Sequence, residues 1–595
     1  MHKNNTIHNF HIPVMGLAFT IDSPIRVAQF GISSVISIMD DDLMEKMNAY
    51  YSKKFNFQYE EISQKIYDYR AKRITSYLNL VHSIVNEKFT VFKTELAESR
   101  TALDNFIALL PGKSEIKTGL QNLIQDGTFL KENIWDYCEK YLRAGEIDVN
   151  IMTKVDRENF DKNELLPVQF NDAHAALRGF ANSTLGSSVV LSAGMNPRLY
   201  GYFESFPDFF PDENFNLKKK ITIKVSDFRS AMIQGNFFAK KGLWVSEFRI
   251  ESGLNCGGHA FATDGTLMGP ILEEFRQKRE SLLSGMHELF SKALAQKNLP
   301  VVITPLQLKI TVQGGVGTAE EHDFLLSHYN TDSVGWGSPF LLVPEATSAD
   351  NATRDLLARA QEEDLYTSDI SPLGVPFNTV RGTTTEFTRQ KRIDEQKPGS
   401  SCPKKYLALN TEYGSKGICT AARKFQEIKL AELEAELPHI TPEEHNKQKD
   451  AITEKSCLCV GLANASLLEN GIKIKGDHGV VVCPGPNIAY FNRQYSLKEM
   501  IQHIYGGPTL LAGIVRPNLF MKELTLYLQF LKDEVKFSTS IASKEKQIKK
   551  MRDNLLLGVS YYKELFNSVS SFKDGFVLNV QVLNEIESEL NAMPI

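Results

Sequence analysis

At 595 residues the chain is too long for one simple core, so a heavily elaborated domain or two to three domains are expected. Its 67 lysines and arginines stand against 72 aspartates and glutamates, and the formal charge of −5 argues against a nucleic-acid partner. Hydrophobic residues make up 42% of the chain, which excludes disorder, and no apolar run is long enough to span a bilayer.

The chain opens as a strand–helix–strand unit. "IPVMGLAF" reads as a buried strand, "SPIRVAQFG" as a helix capped by Ser23 with Pro24 in its first turn, and "ISSVISIM" as a second strand. Residues 43–169 then turn to charged, helix-favouring stretches such as "EEISQKIYDYRAKRITSYLNLVHSIV", predicting a helical insertion. Strand patterns return at "SSVVLSAGMNP", "KKKITIKVSDF" and "GLWVSEFRIESG", followed by a long helix over "GPILEEFRQKRESLLSGMHELFSKALAQK". "LKITVQGGVGT", a helix over "AEEHDFLLSHY" and "DSVGWGSPFLLV" complete the alternation. Such alternation predicts an α/β fold with a parallel sheet, a TIM (β/α)8 barrel with a helical insertion and a mostly helical C-terminal extension. The expected division is a barrel over 1–42 and 170–382, the insertion over 43–169, a cysteine-containing extension over 383–494 and a helical region over 495–595. In the extension, "TTTEFTRQKRIDEQKPGSSCPKK" reads as polar and turn-rich, and a charged helix pair is expected to break at Pro438.

Three glycine-rich stretches carry the chemistry. "QGGVGT", Gln313 to Thr318, follows a strand and opens a helix, which suits an anion site built from backbone N–H groups and a helix N-terminus. "GWGS", Gly335 to Ser338, follows the next strand, and two such neighbouring turns in a barrel converge on one phosphate. "ESGLNCGGHAF" lies one strand–helix unit earlier, so His259 is expected at the same end of the barrel, behind two glycines that permit close approach to a flat ring. A Cys256–His259 pair could alternatively act as an activated thiol nucleophile.

The order of these blocks resembles the flavin-dependent barrel family of nitronate monooxygenases and flavin-type enoyl-acyl-carrier-protein reductases. "PVMGLAF" is similar to its first strand, "NCGGHAF" to its Gly-Gly-His loop, and "VQGGVGT" with "VGWGSPFLLVPEAT" to its phosphate turns. The resemblance covers residues 11–40 and 184–382, and departs from the family at Asn255, Cys256 and Trp336. It implies FMN, with the phosphate on Gly314, Gly315, Gly317, Gly335, Gly337 and Ser338, and the ring against Gly16, Leu17, Ala18, Gly257 and Gly258. Asn196 and Gln234 are implied as further hydrogen-bond partners, and His259 as the catalytic proton carrier. The implied substrate is a small or carrier-bound organic molecule with an acidic or conjugated carbon, with NAD(P)H or another electron donor.

Seven cysteines, an odd count at low density, predict reduced thiols in a cytoplasm, and "MHKNNTIHNFHIPVMGLAFT" lacks the apolar core of a signal peptide. Cys402, Cys419, Cys457 and Cys459 fall in one late region and could gather around a 4Fe–4S cluster or a zinc ion. Two other functions compete with the flavin reading. One is a flavin-free isomerase or lyase acting on a phosphorylated metabolite, and the other is a non-catalytic barrel scaffold.

Overall fold

The computed structural model describes residues 7–125, 129–474, 476–537, 542–569 and 576–593. Eight parallel strands close into a barrel: β1 Phe10–Ile12, β2 Ser33–Ser37, β3 Ile147–Ile151, β4 Ser188–Leu191, β5 Lys220–Val225, β6 Val245–Glu251, β7 Lys309–Gln313 and β8 Ser333–Gly335. Each pairs with the next in the chain, and β8 returns to β1 through Phe10↔Val334 and His11↔Gly335. A closed parallel barrel has no free edge, and the helices between its strands cover the outside. The fold is the expected TIM barrel.

Two strands differ from the expectation. β1 ends at Ile12, and "PVMGLAF" is a turn, because Pro13 has no N–H for the ladder and Gly16 takes φ +53°. β3 lies inside the stretch expected to be helical insertion, so the insertion closes before Ile147. Its helices Asp41–Lys54, Tyr69–Glu98 and Lys131–Tyr141 form the crossover from β2 to β3. The first helix, Ser23–Val27, is preceded by Asp22 as N-cap residue, while the Ser23 hydroxyl donates to the Ala346 carbonyl at 2.6 Å.

After β8 the chain makes a two-stranded antiparallel hairpin, β9 Leu365–Ser368 and β10 Phe377–Val380. The polar segment that follows is helical over Thr384–Asp394, started by the Thr383 hydroxyl accepting from the Glu386 N–H. The charged pair breaks as expected, into Arg423–Glu436 and Pro442–Glu454. The tail is helical over Leu519–Phe537, Ala542–Ser568 and Phe576–Ala592. The tail packs into the main core through Leu524, Leu531, Leu555 and Leu583. No described helix is long and apolar enough to cross a membrane.

Candidate active site

The C-terminal ends of β1, β6, β7 and β8 surround one cleft with about 90 Å³ of open space. Gly16, Gly257, Gly258, Gly314, Gly315, Gly335, Gly337 and Ser338 all line it, so eight residues singled out in the sequence meet at one place. Leu17 and Ala18 follow Gly16 but do not line the cleft; Ala18 is buried in the core.

The turn after β7 is shaped by close approach. Gly314 and Gly315 take φ +120° and +80°, and a Cβ on Gly315 would stand 2.0 Å from the Asn255 amide nitrogen. Three successive carbonyls, of Gly315, Val316 and Gly317, are held by Arg516 Nη2, Asn487 Nδ2 at 2.7 Å and His503 Nε2 at 2.8 Å. Carbonyl and N–H point opposite ways in a trans peptide, so the N–H groups of Val316, Gly317 and Thr318 face away from these side chains. Those of Gly317 and Thr318 meet the Glu321 carboxylate, at 2.8 and 3.3 Å. That carboxylate caps the helix Ala319–His328, and it displaces Gly317 from the expected phosphate set.

The turn after β8 presents Gly335 to Gly337 with the Trp336 side chain turned away. Its indole N–H donates to His322 Nδ1 at 3.2 Å and is buried, which is how a large residue fits between the glycines. Ser338 Oγ accepts from the Gly485 N–H at 2.7 Å and keeps its own proton to donate.

The Gly-Gly-His loop is fastened on both sides. Gly258 N–H donates to the Cys483 carbonyl at 3.1 Å, and Asn378 Nδ2 donates to the Cys256 carbonyl at 2.7 Å. His259 itself does not line the cleft: its Nε2 lies 2.8 Å from Ser371 Oγ and its ring meets Phe377 edge-on at 4.9 Å. Burial lowers its pKa to about 4, so the imidazole is neutral at pH 7. Cys256 lines the cleft, but its thiol is pushed well up by burial and sits 3.7 Å from the Gln313 carbonyl, so no thiolate–imidazole pair forms.

Asn196 and Gln234 are corrections. Asn196 caps the helix Pro197–Tyr202 and donates to the Thr153 carbonyl, while Gln234 is buried on the outer helix Phe228–Ala239 against Tyr200 and Ser230. Neither reaches the cleft. The metal expectation fails as well. Among the described residues no group of three or more His, Cys, Asp or Glu side chains could hold a metal ion. Cys402, Cys419, Cys457 and Cys459 are free thiols, and the interaction of the first two draws the Cys402 thiol down and pushes that of Cys419 up.

Sequence reading missed the polar floor and the late chain. Glu251 and Gln313 line the cleft, the Glu251 carboxylate accepting from Gln313 Nε2 at 2.6 Å and pairing with Lys224 at 3.0 Å. Cys483, Gly485 and Asn487 form one wall. The signal for that wall was "CPGPN", whose alternating small and rigid residues suit a close-packed turn.

Glu523, from the helix Leu519–Phe537, braces the loop below the glycines. Its carboxyl accepts from Ser252 Oγ at 2.6 Å and from the Met268 N–H at 2.7 Å, and burial raises its pKa to about 7. Below the ordinary value of 4.5 both folded and unfolded states hold the proton, and above 7 both release it. Between these values only the unfolded chain ionises, so stability falls as pH rises from about 4.5 to 7 and stays lower beyond. Glu523→Gln is therefore expected to unfold later than wild type at pH 8 by about 2–3 kcal/mol, with the gap nearly closed at pH 5. Urea unfolding at the two pH values checks this, and an equal gap at both would refute it.

The sequence matches no family model and no curated protein sequence. Fifteen solved chains are similar to it, and two of them show how distant the likeness is. FabK from Thermotoga maritima has a TM-score of 0.37 at 11% identity, covering 89% of this chain and 96% of that one. The enoyl reductase domain of MlnA, from the macrolactin biosynthesis cluster of Bacillus amyloliquefaciens, has a TM-score of 0.36 at 10% identity with the same coverage.

Proposed function

We propose that the chain is an FMN-dependent oxidoreductase acting on an organic substrate with a conjugated or acidic carbon, such as an enoyl thioester or a nitronate. The observation that supports it most is the convergence of glycine backbones from four separate loops on one cleft at the strand ends. A flat, phosphate-bearing ligand needs that: bare backbone for its ring and N–H donors for its phosphate.

The residues present fit the group. Gly314, Gly315, Val316, Gly337 and Ser338 would hold the phosphate, with Ser338 Oγ–H and the Val316 N–H as donors. Met15, Gly16, Gly257 and Gly258 would lie against the ring. Gln313 Oε1 and Asn255 Oδ1 are buried at the cleft without a hydrogen-bond partner, two acceptors suited to the ribityl hydroxyls. FMN, when bound, supplies the electron or hydride transfer.

The protein's own part is positioning. Glu251, Lys224 and Gln313 form a fixed hydrogen-bonded floor, so Gln313 keeps its remaining acceptor aimed at the ligand. His259 is neutral and tied to Ser371, and its role in this reading is to fix the glycine pair before it, with any proton exchange passing between its Nε2 and Ser371 Oγ.

Titration of the purified full chain with FMN tests the reading. A yellow 1:1 complex is expected, bleached anaerobically by NAD(P)H and reoxidised by an enoyl thioester, or, for a nitronate substrate, bleached by the nitronate itself and reoxidised by oxygen. A folded chain that takes up no FMN overturns it, and one that takes up a small sugar phosphate instead would favour the isomerase alternative.

A further inference from the structure

A groove of about 480 Å³ lies at the end of the barrel opposite the cleft, within the usual size of a ligand site. Gln29 and Phe30 reach it just before the start of β2, and Phe55 reaches it from the far end of the helix that follows that strand. One wall is the helix Tyr69–Glu98, whose lining positions 87, 88, 91, 92 and 95 fall on one face. The other is the short helix Arg100–Ile107, through Ala102, Asn105 and Phe106. The groove and the cleft have no lining residue in common.

The floor is aromatic. Phe92 meets Phe30 at 5.3 Å and Phe106 at 5.2 Å, each edge to face, so three rings form one braced patch. Phe30, Phe55 and Ala102 are half-buried and Val91 is 66% exposed, which leaves apolar surface turned to the space.

The charge at its edge is one-sided. Glu87 and Glu95 stand about 12 Å apart along the helix axis, with Val91 between them. Both are exposed, and among the described residues neither carboxylate has an ion pair or a hydrogen bond. The lining cation, Lys88, is turned inward and donates to the Ile25 carbonyl. Of the cations beside it, Arg26 is paired with Asp22 at 2.8 Å and Lys54 lies over the Tyr50 and Tyr51 rings. An entering carboxylate would therefore meet two uncompensated acids, whereas an ammonium would meet two acceptors and a bed of rings.

We propose that this groove is a second ligand site, for an organic ammonium ion with an apolar body. The body lies on the phenylalanine floor and the cation is directed to Glu87 or Glu95. Two observations carry the proposal together: apolar surface that the chain leaves uncovered, and a pair of acids without partners at its edge. The site is separate from the cleft and does not depend on the flavin reading.

Three probes with one skeleton test it on the full chain at about pH 7: phenylbutylamine, a cation there, neutral phenylbutanol, and anionic phenylbutanoate. Saturation-transfer NMR titrations give their affinities. The amine is expected to bind one per chain, about threefold or more tighter than the alcohol and about tenfold or more tighter than the carboxylate. Ala102→Phe, which fills the groove, should weaken the amine about tenfold or more. The double variant Glu87→Gln/Glu95→Gln should leave the alcohol unchanged and bring the amine down to it. Both glutamates are exposed, so this variant keeps the fold, which the urea midpoint checks. No saturable binding of the amine, equal binding of amine and carboxylate, or an amine that loses nothing when both glutamates are replaced overturns the site. FMN uptake should be the same in all variants, so failure here and failure of the flavin reading are told apart.

Discussion

A Gly315→Ala chain is expected to fold and yet bind FMN at least about 100-fold more weakly than wild type. Two costs act at this position. Its φ of +80° disfavours any side chain, by about 1–2 kcal/mol. The added methyl would also stand 2.0 Å from Asn255 Nδ2 and 2.6 Å from its Cγ. Asn255 is 2% exposed, its backbone N–H donating to Ser252 Oγ and its amide to the Leu519 carbonyl, so it has nowhere to swing. The turn must therefore move, and with it the N–H groups that would meet the phosphate. Flavin fluorescence quenching gives the affinity, and far-ultraviolet dichroism checks the fold. Introduced into an Asn255→Ala background, Gly315→Ala should cost clearly less than it does in wild type, since the clash is gone and only the φ cost is left. An equal cost in both backgrounds would show that the clash is not the cause.

Arg516→Ala is expected to lower stability by about 3–5 kcal/mol, because it leaves a buried carboxylate without its partner. The guanidinium donates to Glu321 Oε1 at 2.7 Å, to Asn487 Oδ1 at 2.8 Å and to the Gly315 carbonyl, and both members of the ion pair are nearly inaccessible. Lysine should not restore the loss, since a point charge on a flexible stem cannot make three diverging bonds. The measurement is the urea midpoint of wild type, Arg516→Ala and Arg516→Lys. FMN affinity should fall in parallel, because the same side chain fixes the carbonyl side of the β7 turn. Wild-type stability in Arg516→Ala would show that Glu321 is satisfied without it.

How far the sequence revealed these features depended on whether the cause was local. Strands β4 to β7 were legible because each is a short β-branched run ending in glycine, serine or a polar turn. β3, "IDVNI", was not, because Asp148 and Asn150 are polar yet buried, at 5% and 4% exposure. Asp148 accepts from the Ser188 N–H and Asn150 donates to the Val190 carbonyl, contacts that exist only once the neighbouring strand is in place. The helix Thr384–Asp394 hid behind polar composition, although "TTTEF" carries a capping pattern that could have revealed it. At the site, the glycine turns were readable because backbone conformation is encoded locally. Arg516, Asn487 and Cys483 were not, since the turn residues they hold, Gly315, Val316 and Gly258, lie far back in the chain. Gly317 was misassigned for a related reason: the helix that offers an anion site also brought its own anion, Glu321.

The wall at Cys483–Asn487 bears on the order in which the molecule is made. The eighth strand ends at Gly335, and 148 further residues are needed before Cys483 exists. At a synthesis rate of about 5–20 residues per second, a closed barrel would precede the proposed cofactor site by about 7–30 s. Under the proposed flavin reading, loading with FMN becomes a late event in biogenesis, and a nascent chain arrested between these points is expected to carry a finished barrel that holds no flavin.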